Sequence, residues 1–204
     1  MERSTAAHRL GTAAWLGLLL FVVTAVAVQP MREDLHWLDA PLSLYLMGPG
    51  GHWLQAAYFV LAAALGLLGA GYYLALSRRA RSAAPWLLFV GAGLGLCVTA
   101  LAHSNLPGRE PTLEGWLHGT AAQTAFLCVT TAMLLQSWRL RGDPHWRSRF
   151  PAAFALALAC FVAIWVDALW HGMPRGLEQR LVIGLILVWL LQAARWLRVG
   201  PARR

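Results

Sequence analysis

The chain has 204 residues, of which 58% are hydrophobic and 13% charged, with a formal net charge of +8. A soluble domain of this length has no use for so much apolar surface, so lipid is the expected environment. The positive charge does not form the continuous basic stripe of a nucleic-acid binder, because the arginines sit in short clusters between apolar stretches.

Six segments are long and apolar enough to cross a bilayer, at about 10–28, 52–76, 85–103, 115–138, 151–171 and 177–197. Backbone groups in lipid must bond internally, so these segments are expected to be helices. Period-2 alternation is absent, which argues against a membrane barrel. The predicted fold is therefore an all-α transmembrane bundle of six helices in one domain. In the first segment, Arg3 and Arg9 precede an apolar run ending Ala25-Val26-Ala27. That ending resembles a signal-peptide cleavage site, but the run is longer than a signal core, so the segment is expected to stay as a span. The loop 29–51 is the longest and is amphipathic enough to lie in the interface. Within it Pro41 can open a short helix, with Asp39 as its expected cap, and Gly48, Pro49, Gly50 and Gly51 would stop it. In the third segment Gly91-Ala92-Gly93-Leu94-Gly95 lies inside an apolar run, which points to close helix packing and away from a nucleotide loop. Cys97, Cys128 and Cys160 also lie deep in apolar runs, have no CxxC spacing, and read as small buried hydrophobes.

Charge sets the expected orientation. With the N-terminus inside, the inner segments hold Arg3, Arg9, Arg78, Arg79, Arg81, Arg139, Arg141, Arg147, Arg149, Arg195, Arg198, Arg203 and Arg204, thirteen of the seventeen basic residues. The outer side keeps Arg32, Arg109, Arg175 and Arg180. The positive-inside rule then predicts both termini in the cytoplasm and a location in the cytoplasmic (inner) membrane. Trp53, Trp86, Trp116, Trp138, Trp170 and Trp196 fall near the span ends, as an aromatic belt would.

Three passages resemble the domain-of-unknown-function family 998, a group of multi-span membrane proteins. Residues 42–61, LSLYLMGPGGHWLQAAYFVL, are similar to that family's Leu-Ser and Gly-Pro-x-Gly approach to its second helix. Residues 106–122, LPGREPTLEGWLHGTAA, are similar to its outer loop, with Pro107, Thr112, Gly115 and His118 at the matching positions. Residues 176–190 are similar to its last helix. The resemblance implies the six-helix architecture and implies no activity.

The polar residues are unevenly placed. His36, His52, His103, His118 and His171 fall on the expected outer side, with Glu33, Asp34, Asp39, Glu110, Glu114, Asp167 and Glu178. Glu114 and His118 are four residues apart on the fourth segment, as are Asp167 and His171 on the fifth, and each such pair shares a helix face. An acid such as Asp167 is costly in lipid and is expected to face the bundle interior or the outer vestibule. The candidate pocket is thus His103, Glu114, His118, Asp167, His171, Glu178 and Arg180, with Arg180 expected to snorkel or to pair with Glu178.

Three chemistries suit such a cluster. The pocket can bind a lipid or small ligand. His118, His171 and Asp167 can hold zinc, and a metal-activated water would then make the protein a hydrolase acting on a lipid-linked substrate. Histidines on facing helices, such as His103 and His118, can also ligate haem b as a redox centre. No CxxCH, GxSxG, HExxH or P-loop motif is present, and Ser43 and Ser104 lack a nucleophile elbow. The sequence reading therefore favours ligand binding, with membrane lipids as partners and no role for nucleic acid.

Overall fold

A computed structural model describes residues 2–105, 108, 110–170 and 172–200. His171, Leu106, Pro107, Arg109, Arg203 and Arg204, all noted above, lie outside the described residues. The described chain forms six long helices: α1 (Glu2–Ala27), α2 (Gly51–Ala75), α3 (Ala84–Leu101), α4 (Leu113–Arg141), α5 (Phe150–Leu169) and α6 (Arg175–Val199). Each covers one of the six apolar segments. Short 3-10 turns lie at Gln29–Met31, Leu42–Leu46 and Arg147–Arg149.

Local chemistry explains the helix starts. Pro85 and Pro151 sit in the first turns of α3 and α5, where a missing N–H costs nothing. Thr112 caps α4 by accepting the Gly115 amide at 3.0 Å. The loop before α2 needs two left-handed residues, Gly48 at φ 84° and Gly50 at φ 76°. The short turn at Leu42–Leu46 follows Pro41 as expected. Asp39 does not cap it. Its carboxylate instead accepts from His36 Nδ1 at 2.9 Å.

Each helix packs on the next in the chain, and α6 returns to pack on α1, so the six close into a ring. α2 also reaches across to α6. The glycine run of α3 lets two neighbours approach. A Cβ on Gly93 would stand 3.0 Å from the Ala62 carbonyl oxygen of α2, and one on Gly95 would stand 2.9 Å from that of Ala121 on α4. Outside the ring, Leu16, Leu20, Leu87, Leu94, Val162 and Val188 are exposed, which is an apolar belt. Five helices are long and apolar enough to cross a membrane. The fourth, α4, has 29 residues and ample length, but it is too polar to join that group.

The two ends of the ring differ. One gathers the α2–α3 and α4–α5 loops with both ends of the described chain, and carries the arginine clusters. The other gathers the loop 28–50 and the described residues of the α3–α4 and α5–α6 loops, and carries His36, His52, His103 and His118 with most of the acids. They are called the arginine end and the histidine end below.

Candidate functional site

A cavity of about 310 Å³ opens within the ring. Its deep walls are apolar: Leu61 and Leu65 of α2, Phe126 and Val129 of α4, Ile186 and Leu190 of α6. Among the described residues its polar groups lie toward the histidine end: Ser43, Ser104, His118, Asp167, Arg175 and Gln179, with Tyr58, Thr99 and Gln123 on the walls below. At 1.5 Å per helical residue, the wall from Arg175 to Leu190 runs roughly 22 Å, and that from His118 to Val129 roughly 16 Å. A shallower hollow, lined by Asp34, His36, Asp39 and Asn105 among others, shares Pro41, Ser104 and Arg175 with the cavity and lies over its mouth.

His118 is the best-defined polar group of the cavity. It is 4% exposed. Ala102 caps the C-terminus of α3, and its carbonyl lies 2.9 Å from His118 Nδ1. A carbonyl only accepts, so Nδ1 carries a proton, and in the neutral imidazole tautomer this fixes, Nε2 is an acceptor. Among the described residues Nε2 has no hydrogen-bond partner.

Glu114 does not pair with His118, although they share a helix face. It reaches across to α3, accepting from the His103 backbone amide at 2.8 Å and meeting His103 Nδ1 at 2.6 Å. The amide bond first, then the ring bond, holds the Glu114 carboxyl below its ordinary range. Both side chains are exposed, so the pair ties the loop 102–112 to α4 at the surface.

Asp167 is half-buried and lines the cavity. Glu178 is buried but not part of the lining, and its Oε1 has no hydrogen-bond partner among the described residues. The expected Glu178–Arg180 pair is not formed. Arg180 instead donates to Ala40 O at 2.8 Å, Gly176 O at 2.9 Å and Gln29 Oε1 at 3.3 Å, and lies over the Tyr45 ring. It fastens the loop 28–50 to α6, turned away from the cavity. Its Nη2 is buried without a partner among the described residues. A second clamp uses Gln179, whose amide oxygen accepts from the Leu42 amide at 2.7 Å. Arg32 closes the same loop on itself through the Met47 carbonyl and the Asp34 carboxylate, and that bond lowers the Asp34 carboxyl.

The structure therefore brings His118 and Asp167 to one cavity and leaves His103, Glu114, Glu178 and Arg180 around it. Arg175 and Gln179 were not singled out from sequence. They stand four residues apart at the start of α6, a spacing that puts both on one face. Which face turns inward depends on how α6 meets α1 and α5. Among the described residues, no three His, Cys, Asp or Glu side chains gather as a metal ion would require.

A family model described as "Protein of unknown function (DUF998)" matches residues 15–196. The chain belongs to this family. No curated protein and no solved structure matches it.

Proposed function

We propose that this protein crosses the cytoplasmic membrane six times, with both termini in the cytoplasm, and holds a single-chain lipid or similar small amphiphile in its central cavity. The observation that carries this reading is the cavity itself, apolar along its depth and polar at one end. That gradient matches a molecule with a chain and a head group, and the volume falls at the low end of ligand pockets, roughly 300–1,000 Å³. The polar residues stand on four different elements, α4, α5, α6 and the loops, so the bundle has to assemble before they converge.

The sixth crossing is α4. It packs between α3 and α5. Part of its polarity is turned inward, since His118, Thr130, Gln136 and Ser137 are all buried. The arginine clusters support a cytoplasmic arginine end, and the histidine end then faces outward. Cysteine introduced at Ser82 and at Asn105 tests this: an impermeant thiol reagent added to intact cells should label only the second, and labelling only the first would reverse the orientation.

Ligand binding is tested by photolabelling with a fatty alcohol carrying a diazirine on its chain. Labels should concentrate on Phe126, Val129 and Leu190. Labels confined to outward residues such as Leu94 and Val188 would sink the reading. The zinc hydrolase reading needs His171, which lies outside the described residues, and the haem reading needs His103, which Glu114 engages, whereas the cavity itself supports ligand binding.

A further inference from the structure

We propose that the cavity selects a head group that donates a hydrogen bond, that this head is an uncharged hydroxyl, and that His118 Nε2 is its acceptor. This rests on the reading of the cavity as an amphiphile site and adds the chemistry of the head.

The geometry of His118 leads to this. Its Nδ1 proton is committed to the Ala102 carbonyl at 2.9 Å. The ring lines the cavity and is 4% exposed, so its other edge meets whatever fills the cavity, water or ligand. The lone pair on Nε2 has no donor among the described residues. A ligand that displaces water from this acceptor keeps the bond if it brings a donor and forfeits it if it does not. An ether oxygen or a carboxylate would set acceptor against acceptor. A hydroxyl donates.

A second residue fits the same head. Gln179 lines the cavity, and its amide oxygen is taken by the Leu42 amide at 2.7 Å. Its NH₂ group remains to donate, and a hydroxyl oxygen also accepts. Charge points the same way. Asp167 and Arg175 both line the cavity and carry opposite signs, so their fields oppose and neither sign of charged head is favoured. A hydroxyl-headed chain answers the lone pair of His118 and the amide of Gln179 without bringing charge into the bundle.

The test measures binding of dodecan-1-ol and of its methyl ether to the purified full chain in nanodiscs, with an Ala122→Phe variant, which fills the cavity, as the blank. The alcohol should bind the wild type about tenfold more tightly than the ether, the size of one buried hydrogen bond left unmade. His118→Phe should bring the alcohol down to the level of the ether and leave the ether unchanged. His118→Gln, which keeps an acceptor at the Nε2 position, should retain most of the preference. If the wild type binds the ether as tightly as the alcohol, the donor requirement is overturned while the amphiphile reading stands. A preference that survives His118→Phe undiminished overturns the role of His118. If neither molecule binds above the blank, both this inference and the reading beneath it fall. Should His118→Phe not fold, the wild-type ratio still decides.

Discussion

The arginine end and the histidine end are built from the same six helices, yet only the histidine end brings polar groups to the cavity within the ring. At the arginine end Arg81 Nε and Gln136 Nε2 are buried without partners among the described residues, but other polar groups there bind across elements. Asp143, 2% exposed, accepts the amides of Ser77 and His145, each at 2.9 Å, and so ties the α4–α5 loop to the end of α2. Arg149 donates to the carbonyls of Trp196 and Gly200, and stacks on the Trp146 and Trp196 rings. Tyr72 donates to Ala193 O and Trp189 to Ala153 O, pinning α2 and α5 to α6. At the histidine end Glu178 Oε1 and Arg180 Nη2 are likewise buried without partners among the described residues, but there the cavity opens, lined by His118, whose one hydrogen bond is made by Nδ1. Satisfied polar groups hold a structure together. Unsatisfied ones cost stability and persist where a ligand or a motion uses them.

That contrast can be broken by mutation. The largest effect is expected at the arginine end. Asp143→Ala strands two amides and should cost about 3 kcal/mol of unfolding free energy in detergent. Measured losses below about 1 kcal/mol would mean that end is less closed than its contacts suggest. Tyr72→Phe removes one buried hydrogen bond and should cost about 1 kcal/mol, read from the same denaturation curves. At the histidine end the sign should reverse. Glu178→Met replaces a buried carboxylate that lacks a partner at Oε1 with an apolar side chain of similar size, and should stabilise by about 1 kcal/mol. A marked loss there would reveal a partner for Glu178 and weaken the contrast.

The pH response sharpens the same comparison. Burial pushes the Asp143 carboxyl up, but the bonds from the Ser77 and His145 amides outweigh it and leave the group below its ordinary range. Its folded value is therefore depressed. The stability it contributes is present above the ordinary carboxylate range, about 4, and is lost as pH falls through the lowered folded value. Glu114 has the same sign, from the His103 amide and ring. Its side chain is exposed, so its share should be the smallest effect of all. Acid titration of stability should flatten clearly in Asp143→Asn and scarcely change in Glu114→Gln. The opposite ranking would place the pH-sensitive contact at the histidine end.

Much of the scaffold was legible because its causes are local. Runs of apolar residues bounded by Arg, Pro and Gly became α1 to α6, and the Gly91–Gly95 run became the close approach of α3 to Ala62 and Ala121. The polarity of α4 was harder to weigh. Its hydropathy sets it apart from the five apolar helices, and only packing shows that Gln136 and Ser137 point inward. The site was legible in part. His118 drew notice for its position and is buried against the cavity. Its partner was missed, because helical spacing proposes Glu114 while the α3–α4 turn delivers the Ala102 carbonyl. Spacing along one helix also cannot see that Glu114 reaches His103 or that Arg180 reaches Ala40. Arg175 and Gln179 looked like ordinary flanking residues until the rotation of α6 turned them to the cavity.

The account stands or falls on whether the cavity holds a ligand. Native mass spectrometry of the protein released from nanodiscs, wild type beside Ala122→Phe, tests this most directly. The wild type should retain one bound single-chain amphiphile that Ala122→Phe, equally folded, loses. Equal retention by both, or none by either, would contradict the account.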